Sequence, residues 1–155
     1  MGQSFVWITT AVSPFWLLMI LAPGWSVTKR VMASKASIIG CGLIHIAIVG
    51  AGLTESPPQI IAEKLLYFFN EAVVSLPAMS AMRQLPSFVT EEWAHVLVWD
   101  LFAGRAIYLD AQEKDIPCKH SLLAAFALSP VGILTHYATE AVLMGWRGRR
   151  EGASE

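Results

Sequence analysis

A run of 19 uncharged residues, SFVWITTAVSPFWLLMILA at positions 4 to 22, constrains the fold of this chain more than any other feature. At a rise of about 1.5 Å per residue, a helix of this run is about 28 Å long, close to the roughly 30 Å of a bilayer's hydrocarbon core. Charged residues make up only 15% of the 155 residues, against about a quarter in a soluble domain. The run therefore predicts a first membrane span.

Three further segments have the character of membrane spans. The second is ASIIGCGLIHIAIVGAGL at 36 to 53, the third runs from about 92 to 109, and the fourth from about 121 to 144. Residues 55 to 91 mix charges, prolines and short apolar stretches, which favours an interfacial or re-entrant amphipathic helix over a fifth span. We therefore predict an all-α polytopic membrane helix bundle of four transmembrane helices, with that additional helix between spans two and three.

This bundle is predicted to form a single domain over residues 1–146, followed by a solvated tail over 147–155. Orientation in the bilayer is left open by the positive-inside rule. Four spans place the basic loop around Lys29, Arg30 and Lys35 on the opposite side from the arginines of the tail, whereas five spans place them together.

Several classes of function are disfavoured by composition and motifs. A net charge of −1 gives no field for a phosphate backbone, so the expected partner is the lipid bilayer and not a nucleic acid. Cys41 and Cys118 stand far apart, without the spacing of a metal or redox site. No histidine box, HExxH or GxGxxG occurs, so no metal site is predicted.

The third predicted span, HVLVWDLFAGRAIYLD at 95 to 110, carries ionisable residues at intervals of five. An Asp at the bilayer midplane is disfavoured by about 2.5 to 3.5 kcal/mol, so Asp100 needs polar partners on neighbouring helices. Steps of five residues turn a helix by about 140°, so His95, Asp100 and Arg105 face different directions. His45 on span two, or His136 with Glu140 one turn later on span four, could supply the partner.

Two interpretations of these residues remain open. They can form a functional cluster, or Asp100 can tie helices together while Arg105 extends toward the interface.

The segments WAHVLVWDLFAGRAIYLD, SPVGILTHYATEAVL and PFWLLMILAPGWSVTKRVM together resemble the family of abscisic-acid-deficient-four-like, or neoxanthin synthase-like, integral membrane proteins. The resemblance covers about two thirds of the chain, and W-x-H-x(4)-D-L-F-x-G-R is its core. It implies a multi-span protein of plastids (thylakoid or envelope) or of photosynthetic bacterial membranes, associated with forming neoxanthin from violaxanthin. The family's recurrent positions correspond to Trp93, His95, Asp100, Arg105, Asp110, Pro130, Gly132 and His136.

The implied reaction converts an epoxide end group of a carotenoid to an allenic alcohol. It is an isomerisation, so an acid and a base in a dry apolar pocket suffice and no cofactor is required. A buried carboxylic acid can donate a proton near neutral pH, while an imidazole can accept one. The hypothesis assigns the acid to Asp100, the base to His95 or His136, and the binding of a hydroxyl group or of an Asp to Arg105.

Further residues are candidates for contact with substrate or pigment: His45, Trp93, Trp99 and Tyr108. The alternative function is a pigment-binding accessory subunit of a photosynthetic complex, in which intramembrane histidines bind chlorophyll and apolar helices pack against carotenoid. Photosystem or light-harvesting subunits are then the expected partners, and chlorophyll or carotenoid the bound cofactor. The residues leave open whether the chain is an enzyme.

Overall fold

The computed structural model describes residues 2–54 and 57–151, and the side chains of 2–54 and 57–146. All regular structure in the described residues is helical, which confirms the predicted all-α class. The described part of the chain forms α1 Gly2–Leu21, α2 Ser26–Ala33, α3 Ala36–Thr54, α4 Pro58–Tyr67, a π-helical turn Phe68–Ala72, α5 Leu76–Met82, α6 Pro86–Lys114, α7 Lys119–Ala127 and α8 Ser129–Glu151.

The contacts within the chain define two compact units. Unit 1 comprises Met1–Val12 and Ile39–Val98, and unit 2 comprises Ser13–Ile38 and Trp99–Glu155. Helices α1, α3 and α6 contribute residues to both units. The side chains of the tail predicted over 147–155 lie outside the described residues.

Helices α1 and α3 coincide with the first and second predicted spans. Both are long and apolar enough to cross a bilayer, and only 22% and 17% of their most apolar windows are buried within the protein. The core helix of a soluble protein would bury most of such a window, because apolar surface is removed from water. These two helices instead expose apolar side chains, as Trp7 and Ile46 do at 67% each. The exposure agrees with the prediction of membrane helices.

The third and fourth predicted spans have a different structure from the first two. The third lies inside α6, which has 29 residues and continues past it at both ends. The fourth is divided into α7 and α8 at Leu128, whose backbone is extended (φ −154°, ψ 95°). Pro130 accounts for the break, because its ring cannot donate a backbone hydrogen bond and clashes with the preceding turn of a continuous helix. Of the described helices, only α1 and α3 meet the criteria for a span, so four spans are not confirmed.

The segment between α3 and α6 forms short helices where a single amphipathic helix was predicted. Helix α4 has ten residues and no buried side chain, and α5 has seven residues. Neither approaches the roughly 20 residues that a spanning helix requires. Prolines set these boundaries, because Pro77 and Pro86 lie in the first turns of α5 and α6, where a missing N–H is tolerated.

Unit 2 is organised around the second half of α6. The Tyr108 side chain is fully buried, and its hydroxyl donates a hydrogen bond to the carbonyl oxygen of Pro23 at 2.6 Å. Gly104 faces the Trp16 ring so closely that a Cβ at this position would lie 2.5 Å from Cη2. The Trp16 ring meets Phe126 of α7 edge to face, with ring centroids 5.4 Å apart. Through these contacts α6 packs against α1 and the loop that follows it, and α1 packs against α7.

Candidate functional site

Four ionisable side chains of unit 2 meet between the C-terminal part of α6 and α8. The carboxylate of Asp110 lies 2.8 Å from His136 Nε2 and 2.9 Å from Lys114 Nζ. Lys114 Nζ also lies 2.5 Å from the Glu140 carboxylate. Asp110 and Lys114 are four residues apart on α6, and His136 and Glu140 are four apart on α8, so each pair shares one helix face. The helices bring the two pairs together as one cluster.

The electrostatics of this cluster favour its charged form. Burial alone would raise the pKa of the Asp110 carboxyl group, but hydrogen bonds from Lys114 and His136 outweigh burial and hold that pKa below its usual value. The hydrogen bonds of Lys114 to Glu140 and to Asp110 raise the pKa of the ammonium group. Near neutral pH, Asp110 is therefore a carboxylate and Lys114 an ammonium ion.

The charge on Asp110 determines which nitrogen of His136 carries the hydrogen. A carboxylate only accepts hydrogen bonds, so His136 Nε2 must donate. In the neutral imidazole, the lone pair is then on Nδ1. His136 is only 3% exposed, and its Nδ1 is buried and has no hydrogen-bond partner among the described residues. A histidine oriented by a carboxylate through one nitrogen, with the other nitrogen unprotonated, is the arrangement of a general base.

His136 and Asp110 lie at the edge of an apolar cavity of about 370 Å³. This volume is within the range of small-molecule sites. Tyr137 supplies a phenol, and the other lining residues are mostly aromatic or aliphatic: Trp99, Phe102, Ala103, Ala106, Ile107 and Ile133. The cavity thus combines a mostly apolar wall with the Asp110–His136 pair and the Tyr137 hydroxyl group, which suits a hydrophobic molecule with few polar groups.

The same cluster resembles a metal site in its choice of ligands. Donor atoms of Asp110, His136 and Glu140 lie within 4.8 Å of one another. However, the Lys114 ammonium already contacts both carboxylates, and a divalent ion would have to displace it. The geometry favours lysine as the counter-charge.

Asp100 contacts a residue that the sequence did not single out. Its Oδ1 accepts a hydrogen bond from Ser129 Oγ at 2.6 Å, at the start of α8. Ser129 Oγ also lies 3.2 Å from the Ala125 carbonyl oxygen, so Asp100 meets the chain at the break between α7 and α8. His136, a partner considered for Asp100, bonds Asp110 instead. The two aspartates are ten residues apart, about 15 Å along α6.

Arg105 caps the C-terminal end of α2. Its Nε donates a hydrogen bond to the Met32 carbonyl oxygen at 2.7 Å, and Nη2 lies 3.3 Å and 3.5 Å from the carbonyl oxygens of Ala33 and Ser34. The last carbonyl groups of a helix lack partners within that helix and carry partial negative charge, so a guanidinium group stabilises them. The contacts of Arg105 are therefore structural.

The remaining predicted residues are divided between the units. In unit 1, the rings of His45 and His95 pack against each other with centroids 5.5 Å apart. Also in unit 1, Trp93 donates from Nε1 to Thr9 Oγ1 at 2.9 Å and lines another cavity. In unit 2, Trp99 lines the cavity beside His136, while Tyr108 is buried and bonded to the backbone.

Sequence reasoning missed Lys114 and Ser129, and it gave Asp110 no role of its own. The spacing of four between Asp110 and Lys114, matching that between His136 and Glu140, was the available signal. It shows which residues share a helix face, but not that the two faces meet. Ser129 had no comparable signal.

Comparison with known proteins agrees with the resemblance seen in the sequence. Residues 3–136 match the model of the ABA4-like family, described as ABA DEFICIENT 4-like. Over 138 residues the chain is 34% identical to the protein ABA DEFICIENT 4, chloroplastic, of Arabidopsis thaliana. The aligned region makes up 87% of this chain and 59% of the length of that protein. No solved structure matches the chain significantly. Because the family model spans most of the sequence, including the segment between α3 and α6, the chain belongs to the ABA4-like family.

Proposed function

We propose that this chain is a carotenoid-modifying membrane protein that isomerises an epoxide end group, as in the conversion of violaxanthin to neoxanthin. The family membership and the two apolar helices support this proposal. The chloroplastic relative supports a plastid or photosynthetic bacterial membrane. A bundle of four spans remains part of the proposal, with residues 92–109 of α6 as the third span and residues 121–144 of the pair α7 and α8 as the fourth.

The proposed reaction moves one proton and breaks one carbon–oxygen bond. A base removes the hydrogen from the polyene carbon next to the ring, and the electrons of that C–H bond form a new C=C bond. The epoxide C–O bond at the adjacent ring carbon breaks, and the oxygen stays on the other ring carbon. That oxygen takes up a proton to become a tertiary hydroxyl group, so atoms and electrons balance without an external reactant.

His136 is the proposed base, and the observation that carries the proposal is its hydrogen bond to Asp110 at the edge of the apolar cavity. Nδ1 is buried in this structure, so the proposed reaction requires the His136 ring or its neighbours to move until Nδ1 reaches the substrate carbon. Nδ1 then takes the proton from carbon, and the Asp110 carboxylate stabilises the resulting imidazolium. The imidazolium can return the proton to the epoxide oxygen, so one residue can serve as base and acid. The roles predicted for Asp100, His95 and Arg105 stay predictions.

The test is pigment analysis in a host that accumulates violaxanthin and lacks neoxanthin. Expression of the wild-type chain is expected to yield neoxanthin, and His136→Gln to lower its rate of formation about 10²- to 10⁴-fold, the usual contribution of a general base. His120→Gln is the matched control, because His120 bonds Thr139 and does not line the cavity. Equal neoxanthin from wild type and His136→Gln, at equal protein level, would contradict the proposal.

The pair of histidines in unit 1 favours a second candidate, a pigment-binding subunit. His45 and His95 come from different helices, and a neutral imidazole can bind the magnesium of a chlorophyll. The absorption spectrum of the purified protein tests this function. Stoichiometric chlorophyll that is lost in His45→Leu or His95→Leu would support it.

A further inference from the structure

Two histidines of unit 1 lie outside the residues proposed as base and orienting carboxylate. His45 belongs to α3 and His95 to α6, and the centroids of their imidazole rings are 5.5 Å apart, with the ring planes at 72°. The two positions are far apart in the sequence, so no ligand spacing predicts the pair. The tertiary structure alone brings the rings together.

The separation of the rings matches that of two imidazoles bound to one metal ion. A zinc–nitrogen bond of about 2.1 Å places the ion about 3.2 Å from the centroid of each ring, and a tetrahedral angle then separates the centroids by about 5.2 Å. The observed separation of 5.5 Å is close to this value. Each ring has two nitrogens, so rotation of the side chain can direct one of them at the ion. One ion can therefore reach both rings with little movement of the helices.

Negative charge next to the pair favours a cation. Glu92 precedes His95 by three residues and therefore lies on the same face of α6. Its carboxylate interacts electrostatically with the His45 ring, and the carboxylate of Glu91 interacts with the His95 ring. A divalent ion bound to two neutral imidazoles keeps its full charge, and nearby carboxylates offset that charge in apolar surroundings.

We propose that His45 and His95 bind one transition-metal ion of the zinc type, which joins α3 to α6 within unit 1. Imidazole nitrogen is a preferred ligand of such ions, and water or a carboxylate oxygen fills the remaining positions of a tetrahedral site. The ion holds the two helices together and takes no part in the proposed reaction. It occupies both rings, whereas the pigment-binding alternative requires one of them for chlorophyll.

Thermal unfolding of the purified full chain in nanodiscs, with and without Zn²⁺, tests this site. The cluster around His136 also offers zinc ligands, so the reference protein is His136→Gln, which removes one of them. Zinc at about 100 times its dissociation constant should raise the unfolding midpoint of this reference by about 5 to 11 °C. Adding His45→Gln or His95→Gln should abolish most of the rise. Co²⁺ in place of Zn²⁺ should give the visible absorption of a tetrahedral site in the reference and in neither double variant.

A matched control separates this site from zinc binding by any accessible histidine. Adding His120→Gln to the reference should leave the zinc-dependent rise unchanged, because His120 lies in unit 2 and bonds Thr139. The midpoint measured without zinc reports whether each variant folds, and either the His45 or the His95 variant suffices for the comparison. A reference without a zinc-dependent rise, or an equal rise in the His45 and His95 variants, would overturn the proposal. Failure to convert violaxanthin would refute the proposed reaction and leave the zinc measurements unaffected.

Discussion

Replacing Arg105 with glutamine distinguishes a structural from a catalytic role for this residue. The variant loses the short hydrogen bond from Nε to the Met32 carbonyl oxygen, at 2.7 Å. A hydrogen bond from a charged donor contributes about 1.5 to 3 kcal/mol, and a cation at a helix C-terminus about 0.3 to 1 kcal/mol. The contacts of Nη2, at 3.3 Å and 3.5 Å, are long and add little. We expect a loss of about 2 to 3 kcal/mol of unfolding free energy.

For a chain of this length, such a loss lowers the unfolding midpoint by about 4 to 12 °C. Thermal unfolding in detergent, followed by tryptophan fluorescence, measures it. Arg105→Lys should lower the unfolding midpoint less than Arg105→Gln does, because lysine keeps the positive charge at the end of α2 although it lacks the guanidinium geometry. Lys29→Gln, a change at an exposed position of α2, should have almost no effect. If Arg105→Gln unfolds at the wild-type temperature but abolishes pigment conversion, the capping role is wrong and Arg105 acts on the substrate.

Three further predictions concern packing, pH and the hydrogen bond of Asp100. Gly104→Ala should lower the unfolding free energy by about 1 to 3 kcal/mol, because its methyl group would overlap the buried Trp16 ring. Thermal unfolding measures this loss. Gly42→Ala is the control, because a methyl group at that position meets no neighbouring atom. The pKa of Asp110 is lower in the folded protein than in the unfolded chain, so the ionised carboxylate stabilises the folded state. This stabilisation is present above the unfolded pKa of about 3.9 and is lost as the pH falls below that value. Asp110→Asn should therefore flatten the decline of the unfolding midpoint below about pH 4, and an unaltered decline would contradict this assignment. A double-mutant cycle of Asp100→Ala and Ser129→Ala should give a coupling of about 0.5 to 1.5 kcal/mol in unfolding free energy. Independent effects would mean that the 2.6 Å hydrogen bond contributes nothing.

The sequence predicted the helical elements better than the partners of the polar side chains. The positions of α1 and α3 follow from uninterrupted apolar runs, and the prolines mark where α5 and α6 begin. The division of the fourth predicted span was missed, because an apolar run containing Pro130 is compatible with either a kinked or a broken helix. Of the residues predicted for the site, His136 and Trp99 line the cavity of unit 2, whereas Arg105 and Tyr108 donate hydrogen bonds to backbone carbonyl oxygens.

The sequence by itself determined the helical class, the two helices able to cross a bilayer and the family. These properties depend on composition, on recurrent residues and on backbone hydrogen bonds between residues four apart, all of which are read along the chain. Only the tertiary structure decided that Asp110 faces His136, 26 residues away, and that Arg105 reaches Met32, 73 residues away. Such pairings depend on which helix faces pack together, and the spacing of residues within one helix does not specify the neighbouring helix.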